Sequence, residues 1–287
     1  MREKLKQYYE LTKPGVTFLV VISTFAGFYL GTEQELNIWL LVHTLLGTFL
    51  VAGGTNALNQ LIEREQDACM KRTRLRPLPS GKIKPVEAQI FSWVISIFGI
   101  FYLTFMVRPL VGGLAALTLL LYIYVYTPLK QKTTLSTFIG SVPGALPPVG
   151  GWVAAHGSIE IAAWVLFGIL FFWQIPHFLA IAWLYQNDYA RGGFKVLPLV
   201  DKEGTITSRH ILINCMALLI VSLMPTMLGV TGFIYFLGAL LLGLGFLYTG
   251  IILAKQKTYV RARQLLLASI FYLPLLLIFM TLDKIGT

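Results

Sequence analysis

The chain has 287 residues, of which 56% are hydrophobic and only 13% charged, and its mean hydropathy is +0.72. A soluble domain carries roughly 25% charged residues, so a water-soluble globule is excluded. The formal charge of +10 would suit nucleic acid, but the basic residues fall between long apolar runs instead of forming one soluble basic face, which excludes that class too.

In chain order, the apolar runs are 16–31, 37–58, 88–107, 110–127, 136–155, 160–184, 209–229, 232–254 and 264–281. Each approaches the ~20 residues that cross a ~30 Å hydrocarbon core. Backbone groups in lipid must be satisfied within their own segment, so these runs predict helices. The alternation of a membrane barrel is absent. The fold class predicted is therefore an all-α integral membrane protein, a bundle of about nine transmembrane helices around a central cavity, in one polytopic domain over 1–287. With the N-terminus inside, every Lys and Arg except Arg108 and Lys284 lies on the cytoplasmic side. That is the positive-inside pattern, and anionic lipid headgroups account for the basic excess. It places the N-terminus and the charged loops in the cytoplasm of a bacterial-type cytoplasmic (inner) membrane, with the C-terminus opposite. The opening MREKLKQYYELTKPG lacks the apolar core and cleavage site of a signal peptide. Cys69 falls in a loop and Cys215 in a helix, so no disulfide is expected.

Two cytoplasmic loops, about 59–87 and 185–208, are long and dense in charge. They follow the second and sixth spans, corresponding places that suggest a weak pseudo-repeat capping one cavity, and loops on a rigid scaffold commonly carry function. In the first, Asn59, Glu63 and Asp67 are four apart, so successive side chains turn only ~40° around a helix. These oxygen donors suit Mg²⁺, which takes one or two carboxylates together with substrate phosphates. Lys71, Arg72, Arg74 and Arg76 follow, and arginine offers paired donors to a diphosphate. The alternative is a loop whose acids merely pair with its bases. Glu65 points roughly 200° away from Glu63 and reads as a surface residue.

The fourth span ends in YTPLK, where Pro128 is expected to stop the helix. Tyr126 is a candidate substrate contact there, and Lys130 reaches either a phosphate or the headgroups. Lys13, before the first span, is similar. The sixth span contains Pro176, which predicts a kink or break, then His177, and ends in Asp188, Arg191 and Lys195, with Asn187 as a further ligand candidate. Asp188 mirrors Asp67 and completes a second acidic side, and Lys195 joins the candidate substrate contacts. His177 lies ~16 Å deeper than Asp188 by helical rise. It either meets a substrate in the cavity or holds the backbone near the proline. Trp173, Phe178 and Tyr185 are candidates to line a pocket for a carbocation.

The motifs LTKPG (11–15), Asn-x3-acid-x3-Asp (59–67), MKRTRLRPLPSGKI (70–83), YTPLK (126–130), PGALPPVGGW (143–152), WQIPHF (173–178) and DYARGG (188–193) run through most of the chain. Together they resemble the haem-farnesylating branch (protohaem IX farnesyltransferases, haem O synthases) of the UbiA-type intramembrane prenyltransferase superfamily. The acidic run is common to the superfamily, whereas RTxxRPL, PPxxGW and WQxPHF point to the haem branch. Glu63 stands where many relatives carry Asp, one methylene shorter.

The resemblance implies that Asn59, Glu63, Asp67 and Asp188 hold Mg²⁺ against farnesyl diphosphate. Arg72, Arg76 and Lys130 would neutralise the diphosphate, with Asp67, Asp188 and Arg72 as the catalytic set. Haem B is then a substrate rather than a cofactor, and its vinyl group attacks the farnesyl cation before water quenches the product cation. A downstream haem A synthase is the implied partner. Two other readings remain at this stage. One is a quinone-pathway aromatic prenyltransferase using the same diphosphate site. The other is a transporter, which would place its binding groups near the midplane.

Overall fold

The computed structural model describes residues 2–285. They form α1 (Arg2–Leu11), α2 (Pro14–Gly31), α3 (Ile38–Ile62), α4 (Arg64–Cys69), α5 (Pro85–Met106) and α6 (Pro109–Leu120). A π-helical segment (Leu121–Tyr126) then leads into α7 (Thr127–Leu129) and α8 (Ser136–His156). The chain ends with α9 (Ile161–Leu184), α10 (Gln186–Arg191), α11 (Leu197–Val200), α12 (Thr205–Met227), α13 (Phe233–Gln256) and α14 (Tyr259–Leu282).

Eight stretches are long and apolar enough to cross a bilayer, with Pro109–Leu129 counting as one. The ninth expected span is α8, whose 21 residues rise ~31 Å. It is less apolar because it lies inside the bundle, against α2, α3, α6 and α9. Small residues make that position possible. A Cβ on Gly27 would collide with the Pro148 carbonyl, and one on Gly151 with the Thr24 carbonyl, so α2 and α8 touch backbone to backbone. Gly27 and Gly31 form a small-xxx-small pair facing α8, the device by which membrane helices approach closely. On the outside, Phe18, Phe98, Phe105, Ile220 and Leu241 are exposed as a lipid-facing surface requires.

Several helices extend past their apolar runs. α14 begins at Tyr259, five residues before the run, because the Thr258 side chain accepts the Arg261 N–H and caps it.

Of the kink or break expected at Pro176, the break does not occur, since α9 runs from Ile161 to Leu184. The helix expected to stop at Pro128 ends one residue later, at Leu129. The preceding residues widen into a π turn, Thr127 N–H bonds the Tyr122 carbonyl, and the helix continues to Leu129. A π turn changes the hydrogen-bond register and so accommodates the missing N–H.

At the charged end, Leu11, Ala57, Leu78, Ile83 and Ala88 form a small second core. It fastens α1 and the loop after α4 to the ends of α3 and α5, and Gln60 Nε2 donates to the Leu11 carbonyl at 2.8 Å. The long loop is thus held rigid where its charged residues sit. Cys69 and Cys215 are both free thiols, as expected.

Candidate functional site

Backbone continuity carries the acidic stripe beyond the end of α3. Glu63 N–H bonds the Asn59 carbonyl at 3.0 Å and Asp67 N–H bonds the Glu63 carbonyl at 2.8 Å, so the helical register passes through the α3–α4 junction. Asn59, Glu63 and Asp67 therefore do face one way. They are 1%, 5% and 1% exposed, a depth at which an ionised group requires a partner.

Each has one. Lys13 Nζ donates to Asn59 Oδ1, Lys130 Nζ to Glu63 Oε1 and Arg76 to Asp67 Oδ2, all at 2.7 Å. Asp188, on α10, is brought to the same end of the bundle. It accepts the Lys71 backbone N–H at 3.2 Å and lies 3.6 Å from Arg191. The loops are joined again where Lys195 N–H bonds the Lys130 carbonyl at 2.8 Å.

Local backbone places the basic groups. Lys13 sits in the left-handed region (φ 49°) at the start of α2, an uncommon conformation for a non-glycine residue and one that clusters at functional sites. Burial, reinforced by Arg76, pushes its ammonium down to about 7. Burial also works against Lys130, but Glu63 and the Tyr126 and Tyr122 rings outweigh it and hold this ammonium above the ordinary lysine range. The π turn sets Tyr126 beneath Lys130 Nζ, 4.4 Å from the ring centre, and lets Thr127 accept from Asn59 Nδ2 at 3.3 Å.

Among the described residues no acid pairs with Arg72. Its guanidinium lies over the rings of Tyr185 and Tyr189, at 5.2 and 4.6 Å, so it bridges the two loops by cation–π contact. The Lys195 and Asn187 side chains are both exposed. Tyr185 belongs to the Arg72 stack and not to the cavity wall. Glu65 is a surface residue paired with Arg64.

Beneath this cluster is a cavity of about 270 Å³ lined by α2, α3, α6, α8 and α9. Asn56, Tyr122 and Tyr126 lie at the end near the acids, and Trp173, Phe178 and His177 contribute further wall. Ionic groups thus stand at the mouth of an apolar chamber. Among the described residues no three of His, Cys, Asp and Glu converge into a ready metal cage. The donor set still fits Mg²⁺, which prefers a few hard oxygens plus substrate phosphates to a closed protein cage.

Sequence reasoning understated Lys13, for which the TKPG signature was the available signal. It missed the contact between His177 Nδ1 and Ser269 Oγ, 2.7 Å apart, which no local signal marks.

The model of the UbiA prenyltransferase family matches residues 20–276. The chain belongs to that family. It is accordingly an integral membrane prenyltransferase, and the transporter reading falls away. Among UbiA relatives, the protoheme IX farnesyltransferase of Solibacter usitatus is 48% identical, over 98% of this chain and 100% of its own length. A solved digeranylgeranylglyceryl phosphate synthase superposes with a TM-score of 0.82 at 21% identity, covering 98% of each chain. A UbiA homolog from Archaeoglobus fulgidus bound to DMAPP and Mg²⁺ gives 0.68 at 15% identity, over 96% of this chain and 99% of its own. At such identities the two solved structures establish a shared fold.

Proposed function

We propose that the protein transfers the farnesyl group of farnesyl diphosphate to a vinyl group of protohaem IX (haem B), giving haem O. The observation that carries the prenyl-transfer half is the ring of buried oxygen donors, most of them bonded to a cation, at the mouth of an apolar cavity. The haem acceptor rests on the end-to-end likeness to a protein named protoheme IX farnesyltransferase.

Asn59, Glu63, Asp67 and Asp188 would hold Mg²⁺, which when bound neutralises charge on the leaving diphosphate. The Archaeoglobus homolog with DMAPP and Mg²⁺ supports that arrangement. Lys13, Lys130 and Arg76 would turn from their acids to the phosphate oxygens as the acids take the ion. Donors aimed at charge that develops in the transition state lower the barrier. Arg72, on its tyrosine stack, closes over the outer phosphate. The dry cavity keeps water from the allylic cation, and Trp173 and Phe178 offer π faces to it. The haem vinyl attacks that cation, and water then adds to leave a hydroxyethylfarnesyl side chain. The extra methylene of Glu63 changes its reach but retains its charge.

The charged loops and N-terminus face the cytoplasm of a bacterial-type inner membrane, and haem O passes to a haem A synthase. Membranes containing the protein, supplied with haem B and farnesyl diphosphate, should yield haem O by mass. Prenylation of hydroxybenzoate with no haem product would overturn the haem reading in favour of a quinone-pathway enzyme.

A further inference from the structure

We propose that Ser269, on α14, fixes the tautomer of His177 and so presents a bare Nε2 to the cavity as the ligand for the iron of the haem substrate. This rests on the haem-acceptor reading above. Trp173 and His177 are four residues apart on α9 and share a face. Both are fastened to one residue, 92 positions later than His177. Trp173 Nε1 donates to the Ser269 carbonyl at 2.8 Å, and His177 Nδ1 lies 2.7 Å from Ser269 Oγ. The Ser269 hydroxyl itself donates to the Leu266 carbonyl at 2.6 Å. A serine has one proton. With that proton on Leu266, Ser269 Oγ can only accept from His177, so the imidazole hydrogen resides on Nδ1.

The second nitrogen is then a lone pair. Among the described residues nothing bonds Nε2, and it is not a sealed buried atom, while His177 lines the cavity. Three other polar side chains of that wall donate to their own helices. Gln174 Nε2 donates to the Leu170 carbonyl, Thr55 to Val51 and Thr118 to Leu114.

The ring cannot turn to find another partner. It stacks on Trp173 at 4.9 Å with the planes 21° apart, and Ser269 is fully buried behind it. An apolar chamber containing one oriented, unused imidazole nitrogen is a place for a metal-bearing planar ligand. Ligating histidines characteristically donate their other N–H to an orienting acceptor, which fixes tautomer and ring plane. That acceptor is here a neutral hydroxyl. A carboxylate would raise ligand basicity, so the hydroxyl suits a substrate that must leave again. Iron on His177 would also put the porphyrin in the cavity that Tyr122 and Tyr126 line.

The test is haem binding by the purified full-length protein in lipid nanodiscs, read by absorption and by the resonance Raman iron–histidine band. Ferric and ferrous haem B should give a histidine-ligated spectrum that is lost in His177→Gly and returns with added imidazole. Ser269→Ala should shift the iron–histidine band and weaken haem binding about 10-fold, the lower end of what losing such a partner costs. Ser269→Thr, which keeps the hydroxyl, should restore both. Ser269→Cys preserves packing but bonds weakly, and should fall between them even where the alanine variant folds poorly.

A wild-type band in Ser269→Cys, or in folded Ser269→Ala, would overturn the positioning role alone. A wild-type protein without any haem spectrum would overturn the haem-acceptor reading along with it.

Discussion

Asp67 and Arg76 form an ion pair whose two ends lie in different surroundings. The Asp67 side chain is 1% exposed, while Arg76 is 33% exposed. Removing the acid leaves a cation that can reach water. Removing the base leaves an uncompensated buried carboxylate, a loss of ~3 kcal/mol where burial is complete. Arg76→Ala should therefore lower the melting temperature in detergent clearly more than Asp67→Ala. Activity should run differently, because Asp67→Ala removes a proposed metal ligand as well and should cost about 100-fold or more in turnover. Turnover that survives both Asp67→Ala and EDTA would remove the metal role. Arg72→Lys and Arg76→Lys should both be poor enzymes, since lysine lacks the planar fork and stacks less well on Tyr185 and Tyr189. Near-normal kinetics in both would reduce these arginines to loop anchors. At this scale the stripe was legible because a spacing of four on a helix is itself a geometric statement. The partnership of Lys13 with Asn59 depends on a left-handed residue, and that of Ser269 with His177 on a contact between distant helices. TKPG marks Lys13 but not its partner, and nothing local marks the contact of Ser269.

The contact between α2 and α8 shows what hydropathy conveys about elements and what it leaves out. Apolar runs placed the spans to within a few residues, because a bilayer demands a minimum length. They did not show that α8 lies at the centre of the bundle, or that a π turn would carry a helix through Pro128. Both follow from how neighbouring helices pack. Gly27 and Gly151 are the most demanding positions, since their Cα atoms face opposing carbonyls. Gly27→Val or Gly151→Val should destabilise by ~1–3 kcal/mol, the cost of forcing volume into a packed contact. A Cβ on Gly113, in the exposed part of α6, meets nothing within 4 Å. Gly113→Ala should be neutral, or stabilising by ~0.5–1 kcal/mol, because alanine orders more readily in a helix. Thermal unfolding in one detergent compares all three. Equal effects at Gly27 and Gly113 would mean that backbone contact does not hold α2 to α8.

Across the whole molecule, charge is sorted between the two ends. The two basic residues at the end remote from the acidic site are both occupied in closing helices. Arg108 Nε donates to the Ala154 carbonyl in the last turn of α8, at 3.2 Å. Lys284 Nζ donates to the Tyr29 carbonyl at 2.8 Å and to the Thr32 carbonyl, at the end of α2. Cations at helix C-termini satisfy free carbonyls and oppose the dipole. They are structural caps, which leaves orientation to the basic residues at the other end. The chain offers its own reporter, since it has only two cysteines and Cys69 is exposed beside the acidic stripe while Cys215 is 1% exposed within the bundle. A membrane-impermeant maleimide should label Cys69 in inside-out vesicles and leave it unlabelled in intact spheroplasts, with Cys69→Ser as the blank. Lys284→Gln should lower thermal stability by loosening α2, yet keep the same labelling pattern, because a cap does not vote on topology. Labelling of Cys69 in spheroplasts would reverse the orientation. A changed pattern in Lys284→Gln would return Lys284 from helix cap to topogenic charge.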